Sequence, residues 1–110
     1  MIEAIRQLFR KSGIEVSGKD EVTSDEGWQL RLTGILPPSW RLEYAEGNKE
    51  TSAGIECGHG GPRGLIFYVH LSEVHGWKDS QKAFTKEDRD RIATNIRRGM
   101  RALKYVCKIE

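Results

Sequence analysis

The sequence predicts an α+β domain: an antiparallel β-meander of four to five strands, with an N-terminal helix and a C-terminal helix packed on one face. Three observations carry this reading. From Trp28 to Cys57 apolar residues alternate with polar ones, the period of a half-buried strand. The links between these runs are short, which favours antiparallel neighbours, because a parallel pair needs a crossover of about a dozen residues or more. After Thr85 the apolar spacing changes to three and four, the period of a helix face. A chain of 110 residues fits one domain, 1–110.

The elements follow in order. Ile2, Ile5, Leu8 and Phe9 recur at helical spacing, and Gly13 sits where a helix would stop. Ile14 and Val16 suggest a short strand. Residues 17–27 are polar and turn-rich and read as a loop that holds at most a brief strand around Val22. Trp28, Leu30 and Leu32 alternate with Gln29, Arg31 and Thr33, and Pro37-Pro38 breaks that run. Trp40, Leu42 and Tyr44 form the next strand. Gly47-Asn48 marks a turn, since both residues tolerate positive φ. Ala53, Ile55 and Cys57 alternate again, residues 58–64 form a glycine-rich turn, and residues 65–71 supply a last apolar strand. The expected inner face is Trp28, Leu30, Leu32, Trp40, Leu42, Tyr44, Ile55, Phe67 and Val69, with Arg31, Arg41, Glu43, Glu56 and His70 turned to solvent.

A sheet with one apolar face needs a cover. Residues 85–108 supply it as one helix. Thr85 is the N-cap and Asp88 the third residue of a capping-box variant. Ile92, Ile96, Met100, Leu103 and Cys107 then form one apolar stripe. Burying that stripe at roughly 25 cal/mol per Å² stabilises the fold by several kcal/mol before entropy is counted.

Composition sets the outer limits. Hydrophobic residues make up 37% and charged residues 31%, enough patterned apolar surface for one thin core and too much for a disordered chain. The two cysteines, Cys57 and Cys107, lie in apolar patterns and read as buried thiols, not as a disulfide framework. No signal core opens the chain, and no run approaches the roughly 20 apolar residues of a membrane span. The expectation is a cytoplasmic protein without membrane contact. The net charge is +2, and the basic excess lies wholly in residues 85–110, which carry eight basic and four acidic groups.

Several constellations invite a chemical reading. The loop Gly58-His59-Gly60-Gly61-Pro62-Arg63-Gly64 looks like a phosphate cradle, with Arg63 as a clamp. Such a cradle needs a helix after the loop; a strand follows, so a hairpin connection is the better reading. Cys57, His59, His70 and His75 are zinc-ligand types. Cys57-x-His59 is too tight for the usual pairing, and Cys57 shares the inward register of Ile55, so no metal or other cofactor is expected. His70 beside Glu43, Glu46, Glu50 or Glu56 would be a general base with a carboxylate partner. Exposed strands also carry such residues simply for solubility, and no nucleophile motif accompanies them, so the chain reads as non-enzymatic.

Two surfaces remain. Arg97, Arg101, Lys104 and Lys108, flanked by Arg98, form a basic stripe able to meet the phosphates of a nucleic acid. Acidic residues at the helix start and basic ones at its end also follow the helix dipole, which accounts for much of the asymmetry. Ile66 and Tyr68 lie opposite Phe67 in register, and Trp77 sits in a polar loop, so all three present as exposed anchors for a protein partner. Equally, the N-terminal helix would cover Ile66 and Tyr68, and Trp77 would fold over a sheet edge.

Taken together, the first small helix, Gly27-Trp28, Trp40-x-Leu42-x-Tyr44, the aromatic-rich strand, Phe84-Thr85-x-Glu87-Asp88 and Ile92-x-x-Asn95-Ile96 resemble small bacterial immunity proteins. These neutralise polymorphic or contact-dependent growth inhibition toxins. The resemblance covers Trp28 to Leu103 and implies a non-enzymatic protein that binds the C-terminal toxin domain of a cognate toxin and occludes its active site. Such interfaces differ between cognate pairs, so it transfers no binding residues. The residues themselves offer Glu43, Glu46, Glu56, Tyr68, His70 and Trp77 as a partner-binding set. Many neutralisers of basic nucleases are acidic; this chain is slightly basic, which leaves Glu43, Glu46, Glu50 and Glu56 as a local acidic patch. Nucleic-acid binding through the basic helix is the alternative.

Overall fold

Seven strands follow one another across a single sheet, each paired with the strand before it in sequence. The structure is a computed structural model that describes residues 13–34, 40–58 and 66–110. The strands are β1 (Ile14–Gly18), β2 (Glu21–Ser24), β3 (Trp28–Thr33), β4 (Arg41–Glu46), β5 (Lys49–Gly58), β6 (Ile66–Val69) and β7 (Cys107–Ile109). The helix α1 (Lys86–Ala102) lies between β6 and β7 in the chain.

This corrects the expected four-to-five-stranded antiparallel meander. The sheet has seven strands, curls into a half-barrel and is mixed, because β6 and β7 run parallel. Helix α1 supplies the long crossover that a parallel pair requires. It packs against β1, β2 and β3 at one margin of the sheet and β7 at the other, so the sheet wraps it on two sides. The expected N-terminal helix falls on residues 1–12, outside the described residues.

Tight turns explain the extra strands. Asp20, at φ 57, closes the β1–β2 hairpin; Asp is one of the few residues besides glycine and Asn that tolerate this region. Gly27, at φ 97, closes β2 onto β3. The run at 17–27 is therefore two turns around a strand, with Val22 fully buried opposite Leu30. Between β4 and β5 only Gly47 of the Gly47-Asn48 pair has positive φ, as a type II′ turn requires.

The helix starts where the sequence places it and stops earlier. Thr85 Oγ1 accepts from the Asp88 amide and Asp88 Oδ2 from the Thr85 amide, each at 3.0 Å, a complete capping box. At the other end Tyr105 N donates to Met100 O and Lys104 N to Arg101 O, both at 2.9 Å. That is a Schellman closure, with Lys104 at φ 66 in the place glycine usually holds. Cys107 accordingly leaves the helical stripe and lies in β7 beside Phe67.

The core joins Val22, Leu30, Leu42, Tyr44, Ile55 and Val69 from the sheet to Ile92, Ile96 and Met100 from the helix. Gly99 sets the approach of the layers. A Cβ there would lie 3.1 Å from Leu30 Cδ1 and 3.4 Å from Trp28 Cζ3, so a side chain at this position would press on both where α1 meets β3. The sheet ends are tied by Tyr105, whose hydroxyl donates to Asp20 Oδ1 at 2.6 Å. That bond, and then burial, raises the phenol above its ordinary range.

Candidate functional site

The concave face of the sheet is covered by α1; the convex face has no covering layer among the described residues. Its side chains are set by strand parity. Arg31 stands between Glu21 on β2 and Glu43 on β4, Gln29 opposite Ala45, and Ala45 opposite Glu50. Further along, Arg41 faces Gly54 and Glu56 faces Tyr68.

Two hollows open on this face, each where a small residue leaves the backbone bare. One, of about 140 Å³, lies over Ala45 and is walled by Glu21, Gln29, Arg31, Glu43 and Glu50. The other, of about 390 Å³, lies over Gly54, where a Cβ would meet nothing within 4 Å; its walls include Trp40, Arg41, Glu56 and His70. A ridge separates them, in which Arg41 donates to Ser52 Oγ at 3.0 Å.

Charge on this face is largely uncommitted. Glu21 and Glu50 form no ion pair among the described residues, and Arg31 reaches Glu43 only at 4.0 Å. His70 Nε2 lies 3.2 Å from Glu56 Oε1, yet at an angle that makes no hydrogen bond, so the contact counts as a charge pairing when the imidazole is protonated. Chemically, the face offers carboxylates, one imidazole and two open hollows. The nearby thiol, Cys57, follows the inward register and packs on the core. The described residues contain no group of three or more His, Cys, Asp or Glu placed to hold a metal ion. His59 and the glycine-rich loop lie outside the described residues.

The sequence-derived partner set divides. Glu43, Glu56, Tyr68 and His70 do share the convex face. Glu46 does not: it has the parity of Leu42 and Tyr44 and turns to the helix side. Arg91 Nε and Nη2 donate to its two oxygens, each at 3.0 Å, and Tyr44 Oη donates to Oε2 at 2.6 Å. The same Tyr44 hydroxyl accepts from buried Asn95 Nδ2 at 2.9 Å. Burial first, and the Glu46 carboxylate second, push the Tyr44 phenol far above its ordinary value, so it stays a donor.

Trp77 is also not a free anchor. Its ring stacks on Tyr44 at 6.2 Å between centroids and meets Phe84 edge-on at 5.1 Å. Ile66, expected to face outward, is buried. The basic stripe loses Arg98. Arg97 and Arg101 are exposed on α1, but Arg98 turns to Glu26, with Nη1–Oε1 at 2.8 Å, and lies over the Trp28 ring. That hydrogen bond holds the Glu26 carboxyl below its usual range. Lys104 sits at the helix stop and Lys108 in β7. Arg31 takes the outward place the sequence gives it; the contributors to the convex face that the sequence reading misses are Glu21, Gln29 and Ala45, of which the parity of β3 and β4 contains the last two, while Glu21 depends on β2 being a strand.

Comparison with protein families, with curated proteins and with solved structures finds no match for this chain.

Proposed function

We propose that this chain is a non-enzymatic binding module that docks a partner protein across the convex face of its sheet. The observation that carries the reading is the contrast in charge use: the carboxylates of Glu21 and Glu50 line an open hollow without an ion pair among the described residues. Unpaired carboxylates around a concavity suit a partner with basic side chains, which they steer on approach and pair with on contact. Tyr68, opposite Glu56, adds aromatic surface on the same face, the residue type that anchors interfaces.

Among roles for such a face, the resemblance to bacterial immunity proteins favours a toxin neutraliser. A basic toxin domain would lay its active-site rim on the convex face and be occluded. Among the described residues no helix is long and apolar enough to cross a membrane. The nucleic-acid alternative rests on Arg97, Arg98, Arg101 and Lys104, and of these Arg98 is engaged by Glu26.

The test is co-expression with the product of the adjacent gene, followed by size-exclusion chromatography and a toxicity assay. A stable complex that loses at least tenfold in affinity on combining Glu21→Lys with Glu50→Lys supports the reading. Full-strength binding by that variant, or no complex at micromolar concentration, would overturn it.

A further inference from the structure

The concave side of the half-barrel has an opening of its own. Between the β1–β2 turn and the approach to β7 lies a cavity of about 170 Å³. Its apolar wall is Leu32, Trp40, Ile55, Phe67 and Tyr105, and Lys19, Asp20 and Thr33 supply its polar side. The aromatic part is ordered by mutual packing: Trp40 stacks on Phe67 at 5.6 Å, and Tyr105 tilts against Phe67 at 4.9 Å. The Tyr105–Asp20 hydrogen bond fixes one wall.

We propose that this cavity binds a small molecule built of one aromatic ring carrying an acidic group. Size sets the first term: a cavity of roughly 150 Å³ lined by aliphatic and aromatic side chains admits benzene. The lining sets the second, since ring edges and faces pack best against flat aromatic groups. Charge sets the third. Asp20 keeps its negative charge, with Oδ1 held by the Tyr105 hydroxyl, whereas exposed Lys19 forms no ion pair among the described residues and is the cation available to a ligand. Mouths of β-barrels commonly hold ligands in this way, with an apolar floor and a few polar groups that fix orientation.

The inference does not rest on the docking reading: it uses neither Glu21 nor Glu50, although Trp40 and Ile55 also border the second hollow. The probe is sodium benzoate, titrated into the full chain and followed by amide chemical shifts. The expected result is saturable shifts at Leu32, Thr33, Ile55, Phe67 and Tyr105, with a dissociation constant on the order of 1 mM or tighter. Lys19→Glu, a surface change, should weaken benzoate by about fivefold. Leu32→Trp, which fills the cavity, should abolish the shifts. Should that variant fail to fold, Lys19→Glu still decides. No shift at about 10 mM benzoate, ten times the expected constant, would overturn the site. So would shifts confined to the convex face. Tighter binding of benzyltrimethylammonium than of benzoate would overturn the assignment of charge.

Discussion

The two faces of the sheet use the same residue types for opposite ends. On the concave side, carboxylates are consumed by the fold: Glu46 holds Arg91 and Tyr44, and Glu26 at the sheet margin holds Arg98. On the convex side, Glu21 and Glu50 pair with nothing among the described residues. Yet in the sequence Glu46 and Glu50 are nearly neighbours. What separates them is the parity of a strand and the turn at Gly47, not chemistry. A carboxylate on the covered face costs free energy unless it is paired, so pairing there is obligatory. On the open face water satisfies it, and it stays available for a partner.

The largest test of this division removes the cover. Ile96 is 1% exposed on the buried stripe of α1. Ile96→Asp places an unpaired charge there, and the expected outcome is loss of the folded state, read as a collapsed far-ultraviolet spectrum and no cooperative thermal transition. A soluble variant of wild-type stability would break the assignment of the concave face as the core.

Next in size is the polar network on that face. Tyr44→Phe deletes the hydroxyl that donates to Glu46 and accepts from Asn95, leaving a buried amide short of a partner. The expected cost is about 1–3 kcal/mol in urea unfolding. A change under about 0.5 kcal/mol would mean that the network contributes specificity rather than stability.

Much of the fold is legible in the sequence. The inner-face residues Trp28, Leu30, Leu42, Tyr44, Ile55, Phe67 and Val69 all come from simple alternation and are all buried. The capping box fixes the start of α1 because its signal is chemical: a hydroxyl and a carboxylate at a set spacing. The end of α1 leaves no such mark. Lys104 takes a left-handed conformation without being glycine, and Leu103 and Cys107 continue the helical period by coincidence, so β7 is absorbed into the helix. With β7 hidden, the parallel pair and the closure of the half-barrel are hidden too. Trp77 misleads for a different reason. Its neighbours in the chain are polar, but its partners, Tyr44 and Phe84, are distant or beyond the next turn, and aromatic packing across such distances has no local signature. The candidate site is half legible: Glu43, Glu56 and His70 follow from parity, while Glu21 needs β2, and β2 needs a positive φ at Asp20.

The helix stop offers a smaller test that separates backbone from charge. Lys104 is exposed, and its ammonium forms no ion pair among the described residues; what the fold requires of it is a φ of 66. Lys104→Gly should stabilise the protein by about 0.5–1 kcal/mol, because glycine adopts that region without the Cβ clash. A loss of stability would show that the side chain itself supports the stop.

The smallest expected effect is the one that defines the convex face. Combining Glu21→Gln with Glu50→Gln removes two carboxylates that the fold does not use, so stability should change by less than about 0.5 kcal/mol. Glu46→Gln makes the matched control: it changes one carboxylate of the same chemistry on the covered side, where Arg91 and Tyr44 both depend on it. Urea denaturation of the two variants side by side compares the faces directly. If the convex pair costs as much as Glu46→Gln, those carboxylates serve the fold, and the contrast on which the docking face rests is gone. If the convex pair is silent while Glu46→Gln is not, the sheet carries charge on its open face for which stability gives no reason, and solubility and a partner are the two uses left for it, which the binding test with Glu21→Lys and Glu50→Lys separates.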